Sequence, residues 1–592
     1  MRTRVIFISF FLILGMGLRL LTGVTPSVSA APQAELHVCS SGCPYATVQA
    51  AVTAASAGTV IKIAAGTYQG VTTHGVLKQM VYIDKALTLQ GGFTSSNWTT
   101  ADSTANPTTL DAQGQGRVLY LSLHTSDVTI DGLRLINGDA TQAGDALAIY
   151  GGAALIWGWD QASTVTLLNS QVLNNTAQTG GGGIEFWQVK VILSGNTFSG
   201  NVGKKTNDGH LASGGAVLLS YSPAQITGNQ FTSNTVPNDD YYGDSGGAIY
   251  AERGALTVSA NTFSSNQANE GGALAAFRSP LTLTNNQFIS NTANQGGGLY
   301  YGTDTDPSST VTMSRNSFSN NNAGDGGGAW LLAYQSTITS NIFDHNTAIG
   351  KGGGLVSGGS LVVLQANSFT LNTSTFQGGG LYLTGTPQVK NNLVKGNTSH
   401  YGGGVAISGF GSTHPVLTNN MIVDNVVVNI NADPIEIGHG SAVYIEGELA
   451  DLVHTTLARN TGGDGSCIYA TLSGGRNSTL LITNAIIANE TLGLTVQVGS
   501  QVTLNGILWY SVNTQVAAAV PGSVSVQHEY TGDPRFAADG QHILTDSWAV
   551  DHGVAAGTTT DYDAQLRPNG SAPDLGADEY YPPNLYLPKT TR

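Results

Sequence analysis

Asn286-Gln-Phe-Ile-Ser-Asn291-Thr-Ala-Asn-Gln-Gly296-Gly-Gly-Leu299-Tyr-Tyr301 decides the fold. It runs asparagine, one residue, an apolar centre, two residues and a second asparagine. A short polar turn, glycines and an apolar-x-apolar triplet follow. The first half returns at intervals of 24 to 35 residues, centred on Phe198, Phe231, Phe263, Phe288, Phe318, Phe343 and Phe369, then Leu393, Ile422, Leu457 and Ile486. Such a period marks a stacked solenoid. Within each unit, Leu281-Thr-Leu283, Val311-Thr-Met313 and Leu381-Tyr-Leu383 alternate as half-buried strands do. Glycine, asparagine, serine and threonine punctuate every unit and rule out long helices. Each coil is expected to supply about three short strands that stack in parallel at about 4.8 Å per rung. A single coil cannot bury its apolar side, but many stacked coils can.

Pairing Gly-Gly-Ala-Ile249 and Gly-Gly-Ala-Leu274 with F-x-x-N resembles the repeat of polymorphic outer membrane proteins. More widely, residues 40 to 515 resemble right-handed parallel β-helices of the pectin-lyase-like superfamily. The resemblance implies an all-β, right-handed parallel β-helix. It says little about function, because lyases, hydrolases, adhesins and inert stalks share that scaffold. Residues 46–56 read as a helix with Val48, Ala51, Val52 and Ala55 on one face. With the strand from Val60 to Ile63 and Gly66-Thr-Tyr68, it resembles the superfamily's N-terminal helical cap. Near the other end, Thr531–Phe536, Asp551-His-Gly and Asp574-Leu-Gly-Ala-Asp-Glu579 resemble the C-terminal segment of bacterial choice-of-anchor surface proteins. A plain cap is the alternative. The expected division is a signal peptide (1–30), a cap with the first rungs (31–110), β-helix repeats (111–515) and a C-terminal cap or envelope-association segment (516–592).

Arg2 and Arg4, the apolar run from Val5 to Leu14 and the small residues Val28-Ser-Ala30 read as an export signal, with a retained anchor as the alternative. The membrane is expected to be involved only through this segment, and the mature protein is placed outside the cell or on its envelope, as a monomer. Cys39 and Cys43, close together in an exported chain, are expected to form a disulfide. Cys467 reads as a small buried residue. Net charge is −15, and −18 without residues 1–30, which hold three arginines and no acid. That balance argues against nucleic acid as a partner. It allows neutral polysaccharide and attracts calcium, for which Asp239, Asp240 and Asp244 are candidate ligands, although no cofactor is required.

After each glycine cluster the middle residue of apolar-x-apolar should face outward. That column holds Leu155, Glu185, Leu218, Tyr250, Ala275, Tyr300, Trp330, Val356, Tyr382, Ala406, Tyr444 and Tyr469. Six of these twelve are aromatic against 8% of the chain. The rings either bind the apolar faces of sugars or stack on one another along the sheet. Tyr250, Tyr300, Trp330, Tyr382 and Tyr444 are the candidate ligand-binding residues. Longer excursions at 202–213, 235–245 and 426–439 leave from one corner of the coil, as binding-face loops of solenoids do. The residue before the glycines forms a second column that includes Glu270, Asp325 and Lys351, the candidate catalytic groups. Glu270 and Asp325 are two rungs apart, roughly 9–10 Å, near the upper end for an inverting glycosidase pair. Lys351 beside Asp325 would equally form a surface ion pair. No cluster of acidic residues on successive rungs resembles the calcium site of the pectate enzymes. The leading expectation is an adhesin-like β-helix that binds extracellular polysaccharide or another cell-surface ligand. The alternatives are a polysaccharide lyase or glycoside hydrolase, and an inert stalk.

Overall fold

In this computed structural model the described residues are 34–142, 150–204, 212–237, 243–302, 309–408, 414–430 and 436–582. The export signal, Asp239 and Asp240 lie outside them, as do parts of all three excursions. The regular coils follow one path, seen most fully in the strands Leu281–Thr284, Gln287–Ile289, Thr292–Gln295 and Leu299–Tyr301. Each pairs in parallel with its counterpart one coil on. This coil has four short strands, while those of Ala224–Glu252 and Leu256–Phe277 have the expected three, with only isolated bridges at Thr235 and Gln267 in place of the fourth.

The corners are built by the asparagines. Asn286 Nδ2 and backbone N both donate to Asn316 Oδ1, at 3.0 and 2.9 Å, and Asn291 makes the same pair with Asn321 at 3.0 Å. Two such ladders run through the stack. Between them lies a column of rings: Phe288, Phe318 and Phe343 are fully buried, with centroids 4.5 and 4.8 Å apart. The glycines are required by space. Gly296 has φ +64°, and a Cβ there would lie 2.1 Å from the Leu299 carbonyl. A Cβ on Gly297 would lie 2.3 Å from the carbonyl of Gly327 in the next coil. L-residues resist the first conformation, and the stacked backbone excludes the second.

Two centres of the repeat are corrected. Phe369 pairs with Val394, and Leu457 with Ile487, so Leu393 and Ile486 are one residue out of register. A slip of one residue turns a side chain to the opposite face. Leu393 and Ile486 therefore face outward, where they meet the C-terminal segment.

That segment lies along the outside of four successive coils. Asn391 Nδ2 donates to the carbonyls of Asp561 and Tyr562, Asn419 Nδ2 to Thr560, and Asn484 Nδ2 to Val554; the fourth contact is made by His454 Nδ1 against the Asp574 carbonyl. Leu575, Ile543 and Ala549 pack on Val423, Ala458, Ile486, Ala488 and Leu508. The motif Asp574–Glu579 organises the segment. Glu579 accepts from the backbone of Asn569 and Asp574 and pairs with the buried Arg567 at 3.0 Å. Asp574 accepts from the backbone of Asp551 and Tyr580. Parallel strands of the coil continue to Thr531, past the expected boundary at 515. At the other end Thr47 caps a helix over Val48–Ala54, whose Val48, Ala51 and Val52 join the main core. Cys39 and Cys43 form a disulfide, and Cys467 is buried.

Candidate functional site

The strand after the glycines sends alternate side chains inward and outward. Leu299 and Tyr301 lie in the main core, while Tyr300 between them does not. The outward residues from Leu155 to Tyr469 form one unbroken parallel register. Their exposure departs from expectation. Tyr300, Tyr382 and Tyr444 are only 7–8% exposed, and Tyr250 and Trp330 are half-buried. A platform of open ring faces is therefore not what this column builds.

The residues before the glycines cover the rings. Ser245, Glu270, Gln295 and Asp325 are in register, as are Lys351, Gln377, Tyr401 and His439. Glu270 accepts from Ser245 Oγ at 2.9 Å and from the Tyr300 hydroxyl. Lys351 Nζ donates to the Tyr382 hydroxyl at 3.1 Å and sits 4.6 Å from that ring's centre. Tyr401 stacks on Tyr444 at 5.0 Å and His439 on Tyr469 at 4.2 Å. His439 Nδ1 is 2.8 Å from Asp464 Oδ2, while Ser466 binds the other Asp464 oxygen. Burial would raise the Asp464 pKa, but these bonds outweigh it and hold the carboxyl below its usual range. The two columns together set aromatic rings beside hydroxyls, carboxylates and an ammonium along one face of the stack.

Glu270 and Asp325 open into the same cavity of about 350 Å³, with Asn269, Asn294, Gln295 and Ile349. Burial pushes both carboxyls up, opposed at Glu270 by the Ser245 and Tyr300 bonds and at Asp325 by the Lys351 backbone N–H, 2.7 Å away. The ammonium of Lys351 is not paired with Asp325; it is engaged by Tyr382 one rung on. Asp244 is also corrected. It is fully buried, its Oδ1 accepts from the Ala212 backbone at 2.8 Å, and it belongs to the wall of the coil rather than to an open loop.

A second outward column was not anticipated. The last strand residues Trp157, Trp187 and Phe277 are half-buried and extend the aromatic run. Trp157 stacks on Trp187 at 5.2 Å, and Phe277 lies 5.7 Å from Tyr250 and 5.5 Å from Tyr300. Two-residue alternation, continued one step past the middle residue, would have found them. Glu446 occupies the same column farther along and accepts from Gln377 Nε2 and Ser408 Oγ.

No curated protein sequence matches the chain. Tailspike protein 3 of bacteriophage CBA120 is similar at 9% identity over 81% of this chain, with a TM-score of 0.22; the chain spans 58% of the tailspike's length. The periplasmic alginate epimerase AlgG is similar at 9% identity, over 80% of this chain and 85% of that one, with a TM-score of 0.28. For the pectate lyase Pel9A the identity is 12%, the coverage 93% and 97%, and the TM-score 0.23. The family model for the right-handed beta helix region matches residues 121–369 and 294–450, more than half of the chain, and the protein belongs to that family.

Proposed function

We propose that the protein is exported and binds an extended glycan, or a glycan-bearing surface, along this outer face without turning it over. The observation that carries this reading is the run of outward rings between Trp157 and Tyr469, which stack on one another in part and meet polar side chains where Glu270 bonds Tyr300 and Lys351 bonds Tyr382. Ring edges and half-buried faces supply apolar contact, and the neighbouring hydroxyls, amides and carboxylates answer sugar hydroxyls. A ligand lying along the axis meets a new set of side chains every 4.8 Å or so. On this reading Trp157, Trp187, Tyr250, Phe277 and Trp330 carry most of the contact, because Tyr300, Tyr382 and Tyr444 offer only edges. The N-terminal helix closes one end of the stack, and the C-terminal segment faces the envelope.

The shared cavity of Glu270 and Asp325 favours a second reading, hydrolysis of a bound glycan. A glycan array, followed by reducing-end and unsaturated-product assays on every hit, separates the two. Binding without product that weakens at least tenfold in Trp187→Ala plus Trp330→Ala, with an unchanged melting curve, supports the binding reading. Turnover that disappears in Glu270→Gln or Asp325→Asn replaces it with catalysis. Absence of both leaves a structural stalk.

A further inference from the structure

The rings are not the only apolar groups beside the proposed binding face. Ile349, Phe376 and Val428 are 68%, 42% and 43% exposed. They follow closely on the corner asparagines Asn346, Asn372 and Asn425 of their coils, and so lie where the chain turns from one corner towards the face. These coils and that of Asn397 are consecutive in the ladder. The Asn397 coil adds Tyr401, whose ring meets Phe376 edge-on at 5.7 Å. A lone exposed apolar side chain calls for no explanation, but a file of them along consecutive coils marks a contact surface. Ile349 also lines the cavity of about 350 Å³ into which Glu270 and Asp325 open. That volume falls in the usual range of small-molecule pockets, about 300–1,000 Å³.

Charge on the face is one-sided. From Ser245 to Thr471 its columns carry Glu252, Glu270, Asp325, Glu446 and Asp464 against one lysine and one histidine. Both of the latter are engaged: Lys351 Nζ bonds the Tyr382 hydroxyl, and His439 Nδ1 lies 2.8 Å from Asp464. Arg253 and Arg278 follow the ends of their strands, beyond the columns, and Arg253 pairs with Glu252 at 3.2 Å. An acidic glycan laid along these rungs would bring its carboxylates towards fixed carboxylates, and like charges across an interface select against the partner that carries them. We propose that the glycan bound along this face is uncharged and acyl-substituted, its acetyl or similar groups seated on Ile349, Phe376 and Val428, and that uronate polymers are excluded. The inference rests on the glycan reading of the face. In the cavity the carboxylates of Glu270 and Asp325 accept from sugar hydroxyls, while the methyl of an acyl group meets Ile349. The file runs from coil to coil, so substituents on successive sugars meet successive apolar side chains.

The test uses the full chain and calorimetry with two neutral polymers, acetylated xylan and acetylated glucomannan, each before and after alkaline deacetylation, and with polygalacturonate at low salt. The acetylated forms are expected to bind at least about tenfold tighter than their deacetylated counterparts, and polygalacturonate is expected not to bind. In Ile349→Ser plus Phe376→Ser that ratio should fall to about twofold or less, with the melting curve unchanged because both side chains are exposed. Equal affinity for the two forms, binding of polygalacturonate above that of the neutral polymers, or a ratio that survives the double substitution overturns this inference and leaves glycan binding standing. Array hits confined to unsubstituted or acidic glycans do the same. No binding here or to any member of the array overturns both. Should the double variant fail to fold, the ratio and the polygalacturonate result of the wild type decide alone.

Discussion

Asn321 performs several tasks that no shorter or charged side chain combines. Its Oδ1 accepts two bonds from Asn291, its backbone N and Nδ2 donate to Asn346, and Nδ2 also reaches the Phe288 carbonyl at 2.9 Å. Asn321→Ala orphans buried groups on both sides, at about 1–3 kcal/mol for each one left unpaired; chemical denaturation should place the loss in that range or above. The same ladder ends at Glu490, whose Oε1 accepts both donors of Asn460 at 3.0 Å. Burial lifts the Glu490 pKa from 4.5 to about 8, against the pull of the Asn460 bonds. The folded value lies above the unfolded one, so the associated stability is complete below about pH 4.5 and is lost as pH rises through about 8. Melting temperature should therefore fall between pH 5 and 9 in the wild type and stay flatter in Glu490→Gln. A strict repeat spells out the asparagine corners. Glu490 was not legible, because Asn489 beside it imitates the repeat while the chain has shifted by one residue.

At the scale of the element, the C-terminal segment accounts for a change in composition on the outer wall. The outward positions that flank the phenylalanine column are Ser317 and Ser319 in one coil, but Met421 and Val423, then Ile486 and Ala488, in coils the segment covers. Leu575→Ala removes a buried anchor and should cost about 2–5 kcal/mol of docking. Limited proteolysis within 532–582 should accelerate while coils before residue 390 keep their exchange protection. Phe318→Ala should cost about 3–5 kcal/mol, with the loss centred on its own and adjacent rungs. The strands and the core column were readable because period and alternation are local. The docked segment was not, because its partners are many coils away in sequence and its contacts, such as Asn391 with Asp561, follow no period.

For the molecule as a whole, the proposed binding face arises from two columns that the glycines bring side by side. Alternation located the outward residues, but strand parity is silent on what covers them. Roofing by Glu270, Lys351, Tyr401 and His439 depends on the turn between the columns, and that turn breaks the two-residue rule. Trp187→Ala and Trp330→Ala remove partly exposed rings and should shift stability by less than Phe318→Ala does, because their faces are only half withdrawn from water. Paired melts of the three variants test that order. A tryptophan of this face as costly as Phe318 would be a packing residue.

The amide ladders have a direction. Each asparagine Oδ1 accepts from the asparagine of the coil before, and each backbone N–H and Nδ2 donates to the Oδ1 of the coil after, with Nδ2 also reaching back to a carbonyl, so the two ends of a ladder differ chemically while its middle is repetitive. The ladder of Asn321 begins at the Gly138 backbone N–H and ends in Glu490, whose Oε1 accepts both donors of Asn460, while the second ladder begins at the Ser170 backbone N–H. Length is thus a free variable of the gene. Excising Asn316 to Ser340 removes one unit and brings Asn286 to Asn341, which offers the oxygen that Asn316 offered. A lineage can shorten or extend such a rod by whole coils without redesigning either terminus, and the reach of its surface becomes an inherited trait set by copy number.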